Sequence, residues 1–184
     1  MLQGLYSKIG LCEPISSFNY TNDANGDPLI ADCQKISFYK YYETSNSIVA
    51  FESLYKNKDN LRDKFIAYWD KTSARFANNP YVTGFDPLNE RFPGNFLRDK
   101  KLLMPGRADR EQLAPMYAKI QAKYMSNSNG TSKMWFEPMS FSDEICNPIG
   151  DGNLGGVVFP VGFEVPPGGQ IGSPNHILND HTYC

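Results

Sequence analysis

Histidine and cysteine are scarce in this chain, with two and four copies in 184 residues. Cys12, Cys33, Cys146 and Cys184 are widely spaced and include no Cys-x-x-Cys pair, which argues against a zinc ribbon or a thioredoxin-like redox site. They are compatible with two disulfides or with free thiols, and their spacing does not choose a pairing. No apolar run approaches the roughly 20 residues needed to cross a bilayer, so no transmembrane segment is expected. The formal net charge is only -2, and Lys and Arg are scattered rather than striped, which leaves no electrostatic footprint for nucleic acid. The first ten residues lack the basic, apolar and small-residue order of a signal peptide. Two acceptor sequons, Asn19-Tyr20-Thr21 and Asn129-Gly130-Thr131, would nevertheless suit a secreted protein.

What the chain does have is the composition of a globular protein, 41% hydrophobic and 21% charged, with length for one domain over residues 1–184. Residues 12–32 are rich in Asn, Asp, Pro and Ser and read as an irregular excursion with a turn at residues 20–28. An aromatic-rich stretch follows from Phe38 to Tyr55, helical in outline and interrupted at residues 44–47. Leu61, Phe65, Tyr68, Trp69, Thr72 and Phe76 recur at intervals of three and four, which predicts a helix with Asn60 as its N-cap and residues 78–80 as its stop. A second helix is expected with Leu113, Met116, Tyr117, Ile120 and Tyr124 on one face, where Pro115 is tolerated only in the first turn. Residues 147–174, dense in Gly and Pro, read as a long loop with a short ribbon at 157–163.

Between and after these helices lie three strand-like segments. Tyr81-Val82-Thr83-Gly84-Phe85-Asp86-Pro87-Leu88-Asn89-Glu90 delivers Asn-Glu to a strand's carboxyl end, and Lys133-Met134-Trp135-Phe136-Glu137-Pro138 again ends in a carboxylate. A third strand is expected within residues 177–184. Strand, helix, strand with polar residues at the strand ends is the repeating unit of an α/β barrel, whose chemistry sits at that end. A strand-end carboxylate suits proton donation to a glycosidic oxygen, and hydrolysis with retention needs a second carboxylate about 5 Å away.

Asn89-Glu90, Trp135-Phe136-Glu137-Pro138 and His181-x-Tyr183-Cys184, in that order, resemble glycoside hydrolase family 5, and within it the endoglycosylceramidase-like branch. The opening Met1-Leu2-Gln3-Gly4-Leu5-Tyr6-Ser7-Lys8 is similar to that branch's third-strand motif. The resemblance implies an α/β fold, an incomplete (β/α)8 TIM barrel from about the end of strand three through strand six. It implies a retaining hydrolase of O-glycosyl bonds, acting on β-glycosides of glycosphingolipids, with a carbohydrate or glycolipid as partner and with no metal and no cofactor. Glu90 would be the catalytic acid/base. Asn89 would hydrogen-bond the sugar 2-OH, Glu137 would contact polar groups in the cleft, and His181 and Tyr183 would line the catalytic centre. A secreted or lysosomal location is the family's expectation.

The sequence also departs from the pattern. Arg91 stands where the family has Pro, setting a long cation beside the acid, and Leu2 and Gly4 replace a His and an Asp. The family's nucleophile, a Glu ending the seventh strand, has no counterpart here, so the chain is expected to be a central fragment without autonomous catalysis. The alternatives are a catalytically inactive fragment or a carbohydrate- or glycolipid-binding remnant with an aromatic cleft around Tyr55, Trp69 and Trp135. A pairing of Glu90 with Glu137 as the two carboxylates is a further possibility. Asp86 carries no pattern and reads as a hydrogen-bonding or solvated residue.

Overall fold

A computed structural model describes residues 14–37, 40–41, 44–104, 106–139 and 162–179. The described chain divides into two compact units, residues 1–50 and 51–184. In the first, the Asp23 carboxylate accepts the backbone N–H groups of Asn25 (2.8 Å) and Asp27 (3.0 Å). This is the self-capping of an Asx turn, and it closes the antiparallel bridge between Asn22 and Pro28, where a turn is expected from the composition. The short helix α1 (Ile30–Cys33) follows. Its Asp32 carboxylate accepts hydrogen bonds from Lys35 and from the Thr21 N–H, which lowers its pKa to about 2. Helix α2 (Ser45–Tyr55) starts where the aromatic stretch is interrupted, because the Thr44 hydroxyl accepts the Ser47 N–H and caps the first turn.

The second unit carries the main core. Helix α3 (Leu61–Phe76) has the predicted extent, but its cap differs. Asn60 adopts a left-handed backbone with no side-chain cap, and the Asn57 side chain instead grips Asp63 through both backbone N–H and carboxylate. The buried face is also rotated from the one expected. Ile66 and Ser73 are buried, with Phe65 and Trp69 partly so, while Tyr68 and Phe76 are exposed. Bulky aromatics set the sequence pattern, yet the closely packed side of α3 is the one carrying the small Ser73.

Helix α4 (Ala114–Asn127) holds Pro115 in its first turn, as expected, and is entered through a π-helical turn at Asp109–Leu113. Leu113, Met116, Tyr117, Ile120 and Tyr124 are all fully buried. Burying an aliphatic side chain of this kind is worth about 1.5–3 kcal/mol, so this stripe is a substantial part of the unit's core. Trp69 of α3 meets Tyr124 of α4 edge-on, with ring centres 6.1 Å apart. Where α4 ends, the Asn127 amide donates to the Asp70 carbonyl and carboxylate and to the Ser73 hydroxyl of α3.

Three parallel strands form a sheet in chain order: β1 (Gly84–Phe85), β2 (Lys133–Phe136) and β3 (His176–Leu178). β1 is shorter than the sequence suggests, because Tyr81 still belongs to a turn in which the Val82 N–H donates to the Asn79 carbonyl, and residues 82–83 do not pair. β3 begins at His176, one residue ahead of the expected 177–184. Gly84 allows the tight pairing of β1 with β2, since a Cβ there would lie 2.4 Å from the Lys133 carbonyl oxygen. Residues 91–104, which follow the β1 loop and include a 3-10 turn at Lys100–Leu103, are packed, with Phe92, Phe96 and Leu102 buried. The expected N-terminal motif, most of the 157–163 ribbon, and Cys12, Cys146 and Cys184 lie outside the described residues. Cys33 carries a free thiol.

Candidate active site

Parallel register brings the three strand ends to one edge of the sheet. Asp86 follows β1, Glu137 follows β2 and Asn179 follows β3, each the first residue past its strand. The Asn179 N–H donates to the Phe136 carbonyl (2.9 Å), which sets Asn179 level with Glu137. The Asn179 amide then bridges its two neighbours, donating to Asp86 Oδ2 (2.9 Å) and to Glu137 Oε1 (3.2 Å). Side chains from three strands are thus joined at the carboxyl edge, the position at which parallel α/β sheets and barrels gather functional groups.

Asn89 and Glu90 lie on the loop that leaves β1 at this edge, Asn89 exposed and Glu90 half-buried. Glu90 has a positive φ of 35°, uncommon for a residue with a side chain. Its backbone N–H donates to Glu137 Oε2 (2.8 Å). Arg91, next in the chain, has no exposed surface. Its guanidinium donates to the same Glu137 Oε2 (2.8 Å), to the backbone carbonyls of Glu137 and Pro138, and to the carbonyl of Leu88. The guanidinium carbon sits 5.6 Å from the centre of the Tyr117 ring, a cation–π distance. The cation placed beside the acid therefore pairs with Glu137 beneath the loop.

Glu137 is buried with both carboxylate oxygens engaged: Oε2 by Glu90 and Arg91, Oε1 by Asn179. Burial pushes its pKa above the usual carboxylate range and the nearby Asp86 adds to the rise, while the Glu90 N–H and the Arg91 charge pull against it. A buried carboxylate with an arginine and two further donors is an anchor, because loss of either ionic partner would leave the other stranded in a dry site. Next to this anchor, the Asp109 carboxylate accepts the N–H groups of Met139 (2.7 Å) and Gly162 (2.9 Å), holding the segment that leaves β2.

The site residues read from the sequence thus fall into two groups, and the structure adds three more. Asn89, Glu90 and Glu137 come together at the strand ends. His181 and Tyr183 lie outside the described residues. Arg91, Asp86 and Asn179 join the site although none was read as a part of it, and Asp86 does hydrogen-bond as expected. The signal for Asp86 and Asn179 was their position directly after a strand, visible only once the strand ends are known. No group of three or more His, Cys, Asp or Glu side chains is arranged to hold a metal ion among the described residues.

No family model matches the chain. Among curated proteins, an endoglycoceramidase of Hydra vulgaris is 34% identical over 158 residues, covering 86% of this chain and 28% of the relative. An endoglycoceramidase of Cyanea nozakii is 31% identical over 162 residues, covering 88% of this chain and 29% of the relative. The chain spans less than a third of the length of these curated relatives. Among solved structures, endo-glycoceramidase II from Rhodococcus sp. in complex with ganglioside GM3 aligns with a TM-score of 0.59 at 19% identity, covering 80% of this chain and 29% of that one. The same enzyme with a cellobiose-like isofagomine aligns with a TM-score of 0.58 at 20% identity. At such identity the likeness to solved structures is one of fold.

Proposed function

From this chain's homology to endoglycoceramidases, we propose that it forms part of the catalytic domain of a glycosidase that cleaves the β-glycosidic bond between sugar and ceramide in glycosphingolipids. In this reading the three parallel strands are consecutive strands of a family 5 TIM barrel, the fourth to the sixth. Glu90 is the acid/base: protonated, it donates to the departing glycosidic oxygen, and ionised, it takes a proton from the incoming water. Asn89, exposed beside it, hydrogen-bonds the sugar 2-OH. His181 and Tyr183 flank the nucleophile, a second carboxylate sought in the longer protein, since retention requires one about 5 Å from the acid.

The observation that carries the proposal is positional. Within a segment 34% identical to an endoglycoceramidase, Asn89-Glu90 occupies the loop leaving the carboxyl end of a parallel strand. Glu137, read from the sequence as a substrate contact, has its oxygens engaged by the chain itself, which favours a supporting part for it. The test is to incubate the full-length protein with a lactosyl ceramide and analyse the products by mass spectrometry. Intact disaccharide and free ceramide in equal amounts are expected. Release of single galactose units would contradict the endo-acting reading. Binding by calorimetry without any release would favour a glycolipid-binding remnant.

A further inference from the structure

Glu90 sits in a left-handed backbone conformation that side-chain-bearing residues seldom adopt, and its N–H has a defined acceptor, Glu137 Oε2. That acceptor is itself fixed. Arg91 binds the same oxygen, and its guanidinium spans the carbonyls of Leu88, Glu137 and Pro138, tying the loop before Glu90 to the segment after β2. Asn179 holds the other carboxylate oxygen and links it to Asp86. Arg91 and Glu137 are among the most deeply buried side chains described, so this ion pair sits outside solvent competition. Buried ion pairs contribute little net stability compared with apolar packing, which leaves geometric definition as their return.

We propose that Arg91 and Glu137 are positioning residues for the acid/base: they clamp the backbone of Glu90 so that its carboxyl group is aimed at the glycosidic oxygen. The inference rests on the reading of Glu90 as acid/base. The clamp works through Glu90's own N–H and through the carbonyl of Leu88 two residues earlier, so neither member needs to touch the sugar. Arg91 is suited to this because a planar guanidinium presents several donors in fixed directions, whereas a lysine would satisfy one acceptor at a time. Tyr117 completes the seat, with its ring facing the guanidinium and its hydroxyl directed to the Leu88 carbonyl.

A general acid matters most when the leaving group is poor, which gives a readout that a merely structural role would not move. The full-length protein would be assayed with 2,4-dinitrophenyl β-lactoside, whose leaving group needs no proton, and octyl β-lactoside, whose leaving group does. Glu137→Gln and Arg91→Lys are expected to lower kcat/KM, which reports the bond-breaking step in which Glu90 acts as acid, at least about tenfold more on the octyl substrate than on the dinitrophenyl substrate, as for loss of part of a general-acid contribution. Glu90→Gln serves as the reference and should show the same dependence in larger degree. Equal losses on both substrates for the clamp variants, with Glu90→Gln still selective, would overturn the clamp and leave the acid/base reading standing. Absence of selectivity in Glu90→Gln would overturn both. If Glu137→Gln does not fold, Arg91→Lys and the amide hydrogen exchange of Glu90 decide: unchanged exchange and unchanged leaving-group dependence would contradict the clamp.

Discussion

Asp109 shows how much a single buried carboxyl can bind together. It is nearly solvent-free, yet it accepts the N–H groups of Met139 and Gly162, residues far from it in sequence. Burial raises its pKa above the ordinary value of 3.8, outweighing the two N–H donors and the charges of Arg91 and Arg110. A carboxyl with a raised folded pKa holds its proton more tightly in the native state than in the unfolded one. Its contribution to stability is therefore greatest below the unfolded pKa and declines as pH rises through that value toward the folded one. The stability advantage of the native protein over Asp109→Asn should accordingly be largest at and below about pH 4, the ordinary range of an unfolded carboxyl, and shrink as pH rises above it. Urea denaturation midpoints below and above that pH check it, and an advantage that grows with pH would contradict the assignment. At the same scale, Glu90 and Glu137 were visible in the sequence because each ends a hydrophobic run. Arg91 was visible only as a departure from a pattern, and its partner followed from the register between strands, which no local signal carries.

The elements were legible where periodicity and punctuation agree. Helix α3 ends before its predicted stop at residues 78–80, and α4 carries its expected apolar face with Pro115 in the first turn, because burial of one face enforces the helical period. The rotated face of α3 and the brevity of β1 were not legible, since both depend on which neighbour packs against them. Gly84 illustrates the point: in sequence it is a weak strand residue, and in the fold it is the place where the β2 backbone passes too closely for a side chain. Gly84→Ala forces β1 and β2 apart and is expected to destabilise the protein by about 1–3 kcal/mol, the usual cost of overpacking. Gly26→Ala makes a control for local backbone strain, because that glycine has a positive φ and no atom near the added methyl. A Gly84→Ala variant with an unchanged urea midpoint would contradict the described pairing.

Across the whole molecule, strand order and strand-end chemistry point the same way. Three parallel strands in chain order, separated by helix and long connections, place Asp86, Glu137 and Asn179 on one edge with Glu90 on the loop above it. In the function proposed above, the half-buried Glu90 on that loop acts first as an acid and then as a base. The central claim is that Glu90 does this work, and it is tested most directly by the rate at which the full-length protein releases sugar from a ceramide glycoside before and after Glu90→Gln. The amide is close in shape and cannot exchange the proton, so the account predicts a loss of at least about 100-fold, the lower range of general acid–base contributions. A Glu90→Gln protein that releases sugar at the native rate would contradict it.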